Sequence, residues 1–324
     1  MKNYYVILVA FLLCLVACSS EKIVVPTDMD KSIIISHIKD SVISFVDLNN
    51  NTVSTSELDY QITAMQKIDE NTIIFSSQNE DGLFNLNLLN GKIDKVVKTS
   101  MEFNNLLYNE AENLLFFSDS ETDQIGYMDG TSNKIQTRVS VGDGPTSMVY
   151  NSNKHQLYVM NTEAASISVV DVNNNEEVLQ FPIVERPNGI FYDGENVWIG
   201  GHGAYGSLND QVYIYDPETG EQIDRIEVGL MPVGFYGDQY DQYVYVVCHG
   251  ENMVYQVDIQ TRAVIQAMEV AANPYHITGN RQNIYVTSID GNALSVIDRS
   301  NFQLSEQLQL AEGPYMMILG EEHD

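Results

Sequence analysis

From Ser32 onward the chain is written in short apolar runs set apart by clusters of Asn, Asp, Gly and Ser. Runs of this length, bounded by turn residues, predict β-strands. Some are apolar at nearly every position, as in YVYVV (243–247) and ISVV (167–170), whereas others mix charge and apolar residues, as in EEVLQFPI (176–183) and EQIDRIEV (221–228). A strand that is apolar throughout needs cover on both faces, as when sheets stack face to face around an axis. Between the runs, segments such as DVNNNEE (171–177) and DPETGEQ (216–222) supply positive φ angles and side-chain-to-backbone hydrogen bonds, the chemistry of tight turns.

The pattern repeats. Apolar runs end at Asp47, Asn87, Asp129, Asp171, Asp216, Asp258 and Asp298, at intervals of 40, 42, 42, 45, 42 and 40 residues. A second marker keeps phase with the first: proline stands 16 residues later at Pro145, Pro187, Pro232, Pro274 and Pro314, with Thr63 and Phe103 at the same place in the first two repeats. A period near 42 residues marks a propeller, solenoid or array. Each unit reads as four strands, A to D, with A after the proline and C ending on the aspartate. The expected fold is therefore all-β, a seven-bladed β-propeller of four-stranded antiparallel blades spanning 32–324. The chain starts at strand B (Ser32 to His37) and stops after strand A (Tyr315 to Leu319), so these two pieces must complete one blade and close the ring non-covalently.

Composition adds a compartment. MKNYYVILVAFLLCLVA has one basic residue before an uncharged apolar run too short to span a membrane comfortably, which predicts a signal peptide over 1–17. LVAC resembles a bacterial lipobox, which implies lipidation of Cys18, a tether over 18–31, and anchoring on the extracytoplasmic side of a membrane in the cell envelope. With Cys14 removed and Cys18 lipidated, Cys248 has no partner for a disulfide. The formal net charge of −29 repels phosphate backbones, so nucleic acid is excluded as a partner.

IYVTSIDGNALSVID (284–298), LYVMNTEAASISVVD (157–171) and GDGPTSMVY (142–150) resemble the repeat of the YVTN family, seven-bladed propellers of cell surfaces and periplasms. The resemblance implies a monomeric, membrane-anchored binding or scaffold protein that presents a propeller face to a protein, peptide or glycan. Propellers also host enzymes, so function must be argued from a site.

In an antiparallel meander the D-to-A and B-to-C links share one face. That face collects His37, Asp119, His202, His249, Tyr275, His276 and Tyr315, the candidate ligand-binding residues. His37 and Asp119 hold the same repeat position as Asn161 and Cys248. His276 resembles the histidine that follows a blade proline in virginiamycin B lyase, which implies the alternative of a metal-dependent lyase or lactonase with a divalent ion over the channel. Such a histidine follows the blade proline in this one repeat only. No catalytic residue, metal ligand or cofactor is assigned; the absence of CxxCH excludes covalent haem, and no GxSxG nucleophile elbow is present.

Overall fold

The structure, a computed structural model, describes residues 21–320 apart from 28, 30, 99–102, 131, 133 and 239. The expected signal peptide and Cys18 lie outside the described residues. Seven four-stranded antiparallel sheets form the chain, each a meander in the order A-B-C-D. Strands A run Ile62–Asp69, Asn105–Asn109, Pro145–Asn151, Pro187–Tyr192, Pro232–Tyr236 and Pro274–Gly279 in blades 2 to 7. In blade 1 strand A is Pro314–Leu319, paired with strand B, Ser32–His37, through Ile33↔Leu319, Ile34↔Ile318 and Ile35↔Met317. The ring closes as expected. It is a seven-bladed β-propeller.

The A strands of successive blades contact one another, so they line the central channel, while the D strands form the rim. Strands B and C are buried almost throughout, as their unbroken apolar runs require. Seven clusters of buried side chains fill the seven gaps between neighbouring blades. Trp198 of blade 5, for example, packs with Val244 and Val246 of blade 6.

The two markers of the repeat have distinct structural jobs. Each C-terminal Asp of strand C folds its side chain onto the next turn. Its Oδ1 accepts backbone N–H from Asn49 at Asp47 (2.8 Å), Asn174 at Asp171 (3.0 Å), Glu218 at Asp216 (2.7 Å), Thr261 at Asp258 (2.7 Å) and Ser300 at Asp298 (2.8 Å). Asn87 does the same with Leu89 N–H at 3.1 Å, because an amide oxygen accepts as a carboxylate does. Backbone N–H groups at Asp171 and Asp258, and the Ser300 hydroxyl followed by its N–H at Asp298, favour the ionised form and hold these carboxyls below the usual range. The proline opens the innermost strand, an edge where a missing N–H costs no ladder bond. The residue before it is left-handed: Gly144, Arg186, Met231, Asn273 and Gly313 have φ of 67°, 51°, 56°, 54° and 64°.

The rim strands are edges too. In blades 4, 5 and 6 a bulge leaves Val178, Ile223 and Ile265 unpaired in strand D, and the strands carry many charged residues, devices that discourage edge-to-edge association.

The described part of the expected tether is docked. Ile23 is buried in the cluster between blades 1 and 2, its N–H donates to Gly91 O at 2.9 Å, and Ile93 N–H donates to Glu21 O at 2.9 Å. Ser56 Oγ of blade 1 donates to Val24 O. An apolar residue ahead of the first strand fills one of the two inter-blade gaps that flank the closing blade. Among the described residues no helix is long and apolar enough to cross a membrane.

Candidate functional site

At the end of the channel where the D-to-A and B-to-C links meet lies a cavity of about 780 Å³. That size is typical of ligand pockets. All seven A strands, or the links into them, reach it. The lining is built by a recurring irregularity. In six blades the A–B pairing shifts register just after the proline position, at 62–64, 145–148, 187–190, 232–234, 274–276 and 314–317. The residues inside these shifts, including Thr63, Thr146, Ser147, Asn188, Tyr275, Tyr315 and Met316, line the cavity. A bulge frees a residue from the ladder and re-aims its side chain, which is why bulges collect at functional sites.

Hydroxyls from the preceding blade hold the backbone entering strand A in place, at bulges in blades 4 and 1 and at the regular entry of blade 3. Ser118 Oγ donates to Thr146 O at 2.8 Å, Thr287 Oγ1 to Tyr315 O at 2.6 Å, and Ser76 Oγ to Phe103 O at 2.9 Å. In blade 5 Gly200 stands there instead, and a Cβ would come within 2.2 Å of Pro232 O. The mouth is thus rigid before any ligand arrives.

The candidates separate into three groups. His202, Tyr275, His276 and Tyr315 line the cavity. The rings of Tyr275 and Tyr315 stack at 5.0 Å and 29°. His276 Nδ1 is shielded from solvent with no hydrogen-bond partner, although its ring is only partly covered, and burial lowers its pKa to about 4. His249 does not line the cavity but lies edge-on to His202, with centroids 5.0 Å apart. Both are held below the ordinary histidine range, chiefly by burial, so they are neutral at pH 7.

His37 and Asp119 do not reach the cavity. His37 is fully buried, with Nε2 2.8 Å from Ser44 Oγ and Nδ1 3.0 Å from Glu312 O, and it ties the closing blade together. Asp119 accepts Thr122 Oγ1–H at 2.8 Å and the N–H groups of Glu121 and Thr122. Asn161 donates to Ser166 and Ser168 in the same way. The last residue of strand B is a structural position: Asp119 stabilises the B-to-C turn, while His37 and Asn161 bond to hydroxyls of strand C. Cys248 shares it; burial pushes its thiol up to about 12, so it is not a nucleophile at neutral pH.

Thr146, Ser147, Asn188 and Arg186 were not singled out from the chain. The legible signal was the proline phase, since the residues flanking each blade proline are the lining. Arg186 stands out among them. It takes a left-handed conformation that costs a side-chain-bearing residue roughly 1–2 kcal/mol, a position held in sister blades by Gly144, Met231, Asn273 and Gly313. Its guanidinium lies 4.8 Å from the Tyr205 ring, in the loop lengthened by the 45-residue repeat, and meets no carboxylate among the described residues. Glu80, Asp81 and Glu121, from the B-to-C links of blades 2 and 3, line the cavity as well. Among the described residues no three His, Cys, Asp or Glu side chains gather as a metal-binding cluster.

No family model matches this chain, and no curated protein matches it. Solved structures do. A dihydro-haem d1 dehydrogenase, NirN, superposes with a TM-score of 0.64 at 11% identity over 92% of this chain and 80% of its own. The hydrazine synthase of Kuenenia stuttgartiensis superposes at 0.68 and 14% identity, over 85% of this chain and 97% of its own. The likeness is one of fold. Identities this low carry the propeller architecture and neither activity.

Proposed function

We propose that this protein is a lipid-anchored, extracytoplasmic binding propeller of the YVTN-repeat type, whose channel mouth captures a protein segment, peptide or glycan. The observation that carries the reading is the preformed cavity, lined from every blade and in six of them by residues at bulges in strand A. Seven stacked sheets make a scaffold that need not reorganise on binding, so little affinity is lost to ordering. The fold has room for an enzyme, but the lyase alternative needs converging metal ligands, and among the described residues no three His, Cys, Asp or Glu side chains gather to hold an ion.

Placing a bulky side chain in the mouth tests this. Asn188→Trp is expected to abolish capture of envelope proteins, peptides or glycans by the immobilised protein while leaving its melting temperature nearly unchanged. An identical capture profile from both proteins would remove the mouth from the account. The anchor has its own test: Cys18→Ala should move the protein from the membrane fraction to a soluble or uncleaved form. Equal membrane retention of a processed Cys18→Ala protein would refute lipidation.

A further inference from the structure

The mouth is electrically divided. Arg186 is the only Lys or Arg that lines it among the described residues, in a chain with 16 basic and 45 acidic residues. It sits at the link into blade 5, in a backbone conformation better suited to glycine, and Tyr205 rather than a carboxylate supports it. Two and three blades away round the ring, Glu121 of blade 3 and Asp81 of blade 2 find no cation among the described residues, whereas Glu80 is already joined to Lys95 at 3.2 Å. Between the poles lie Thr146, Ser147 and Asn188, neutral groups that donate and accept hydrogen bonds. His276 lines this same space, with its Nδ1 shielded from solvent and without a hydrogen-bond partner.

We propose that the mouth binds a dipolar peptide segment, with a carboxylate on Arg186 and a cationic group facing Asp81 and Glu121. The proposal rests on the mouth being the binding site. A neutral glycan can hydrogen-bond to these three groups through its hydroxyls but brings no charge to neutralise them. A purely anionic ligand would meet Asp81 and Glu121 and the acidic surface as a whole. A peptide supplies both charges, and its amides match the neutral groups between them. The aromatic pair Tyr275–Tyr315 offers a flat apolar wall for a side chain.

The test uses the full-length protein in detergent and three mixtures of tetrapeptides, followed by saturation-transfer NMR: one with free termini, one amidated at the C-terminus, one acetylated at the N-terminus. Free peptides are expected to bind, and each block to weaken binding by about tenfold or more, the usual worth of a charge-assisted bond. Arg186→Gly should remove the effect of amidation alone, with a melting temperature equal to or above the parent because the backbone strain is relieved. Asp81→Asn with Glu121→Gln should remove the effect of acetylation alone. Equal binding of all three mixtures, still blocked by Asn188→Trp, would overturn the dipolar assignment and leave the mouth as a binding site. Binding that survives Asn188→Trp would overturn both. No binding of any mixture would overturn the peptide proposal, with capture by the mouth judged by its own experiment.

Discussion

Removal of residues 314–324 is expected to abolish cooperative unfolding altogether. Strand A of blade 1 would be lost, taking with it the buried Met317, Ile318 and Leu319 and their pairings with strand B. Burying three such side chains is worth roughly 1.5–3 kcal/mol each, a sum comparable to the whole stability of a typical domain, about 5–15 kcal/mol. The damage spreads, because Tyr315 O would no longer receive Thr287 of blade 7 and Ile34 would face solvent. Circular dichroism against temperature checks this: the truncated protein should show no sharp transition. A melting curve within a few degrees of the parent would mean that the closing blade does not hold the ring.

Trp198→Ala should be the most damaging single substitution. Trp198 is the only tryptophan in the chain, is fully buried between blades 5 and 6, and donates its indole N–H to Asp193 Oδ2 at 2.7 Å. Truncating a buried Trp to Ala costs about 3–5 kcal/mol through lost transfer energy and the cavity left behind. In a chain of this size that lowers the melting temperature by roughly 10 °C. Trp198→Phe should lose less, since Phe191 and the valines of blade 6 can still pack against a ring. A loss below about 1 kcal/mol in chemical denaturation would show that the gap collapses and that the blades slide to fill it.

The repeat made the fold legible because two markers ran in phase, and each has a local physical cause: the aspartate caps a turn and the proline opens a channel-facing edge. Where Asn87 or Thr63 replaces a marker, the blade still forms, because the packing of B and C strands does not depend on either. The site was legible only in part. His202, Tyr275, His276 and Tyr315 were reachable from the phase, but His37 and Asp119 share their face and were drawn in by residue type. Whether the last residue of strand B points into the channel or between blades is decided by the twist of the sheet, which a one-dimensional pattern does not carry. Arg186 was hidden for the converse reason. Its meaning comes from a left-handed φ and from the carboxylates of blades 2 and 3, neither of which is written beside it in the chain.

The pairing of Ser32–His37 with Pro314–Leu319 also constrains how the protein comes into being. The first strand to leave the ribosome, or to cross a membrane, has no inner neighbour until the last strand follows, a separation of 275 residues between His37 and Glu312. Contacts this distant in the chain slow folding and lengthen the life of exposed apolar edges. Blades 2 to 7 can assemble in order as they emerge, whereas blade 1 waits with Ile33, Ile34 and Ile35 uncovered on one edge. Biogenesis thus has a vulnerable interval that ends only with the final few residues. A factor that shields an unpaired aliphatic strand would act during that interval and have no target afterwards.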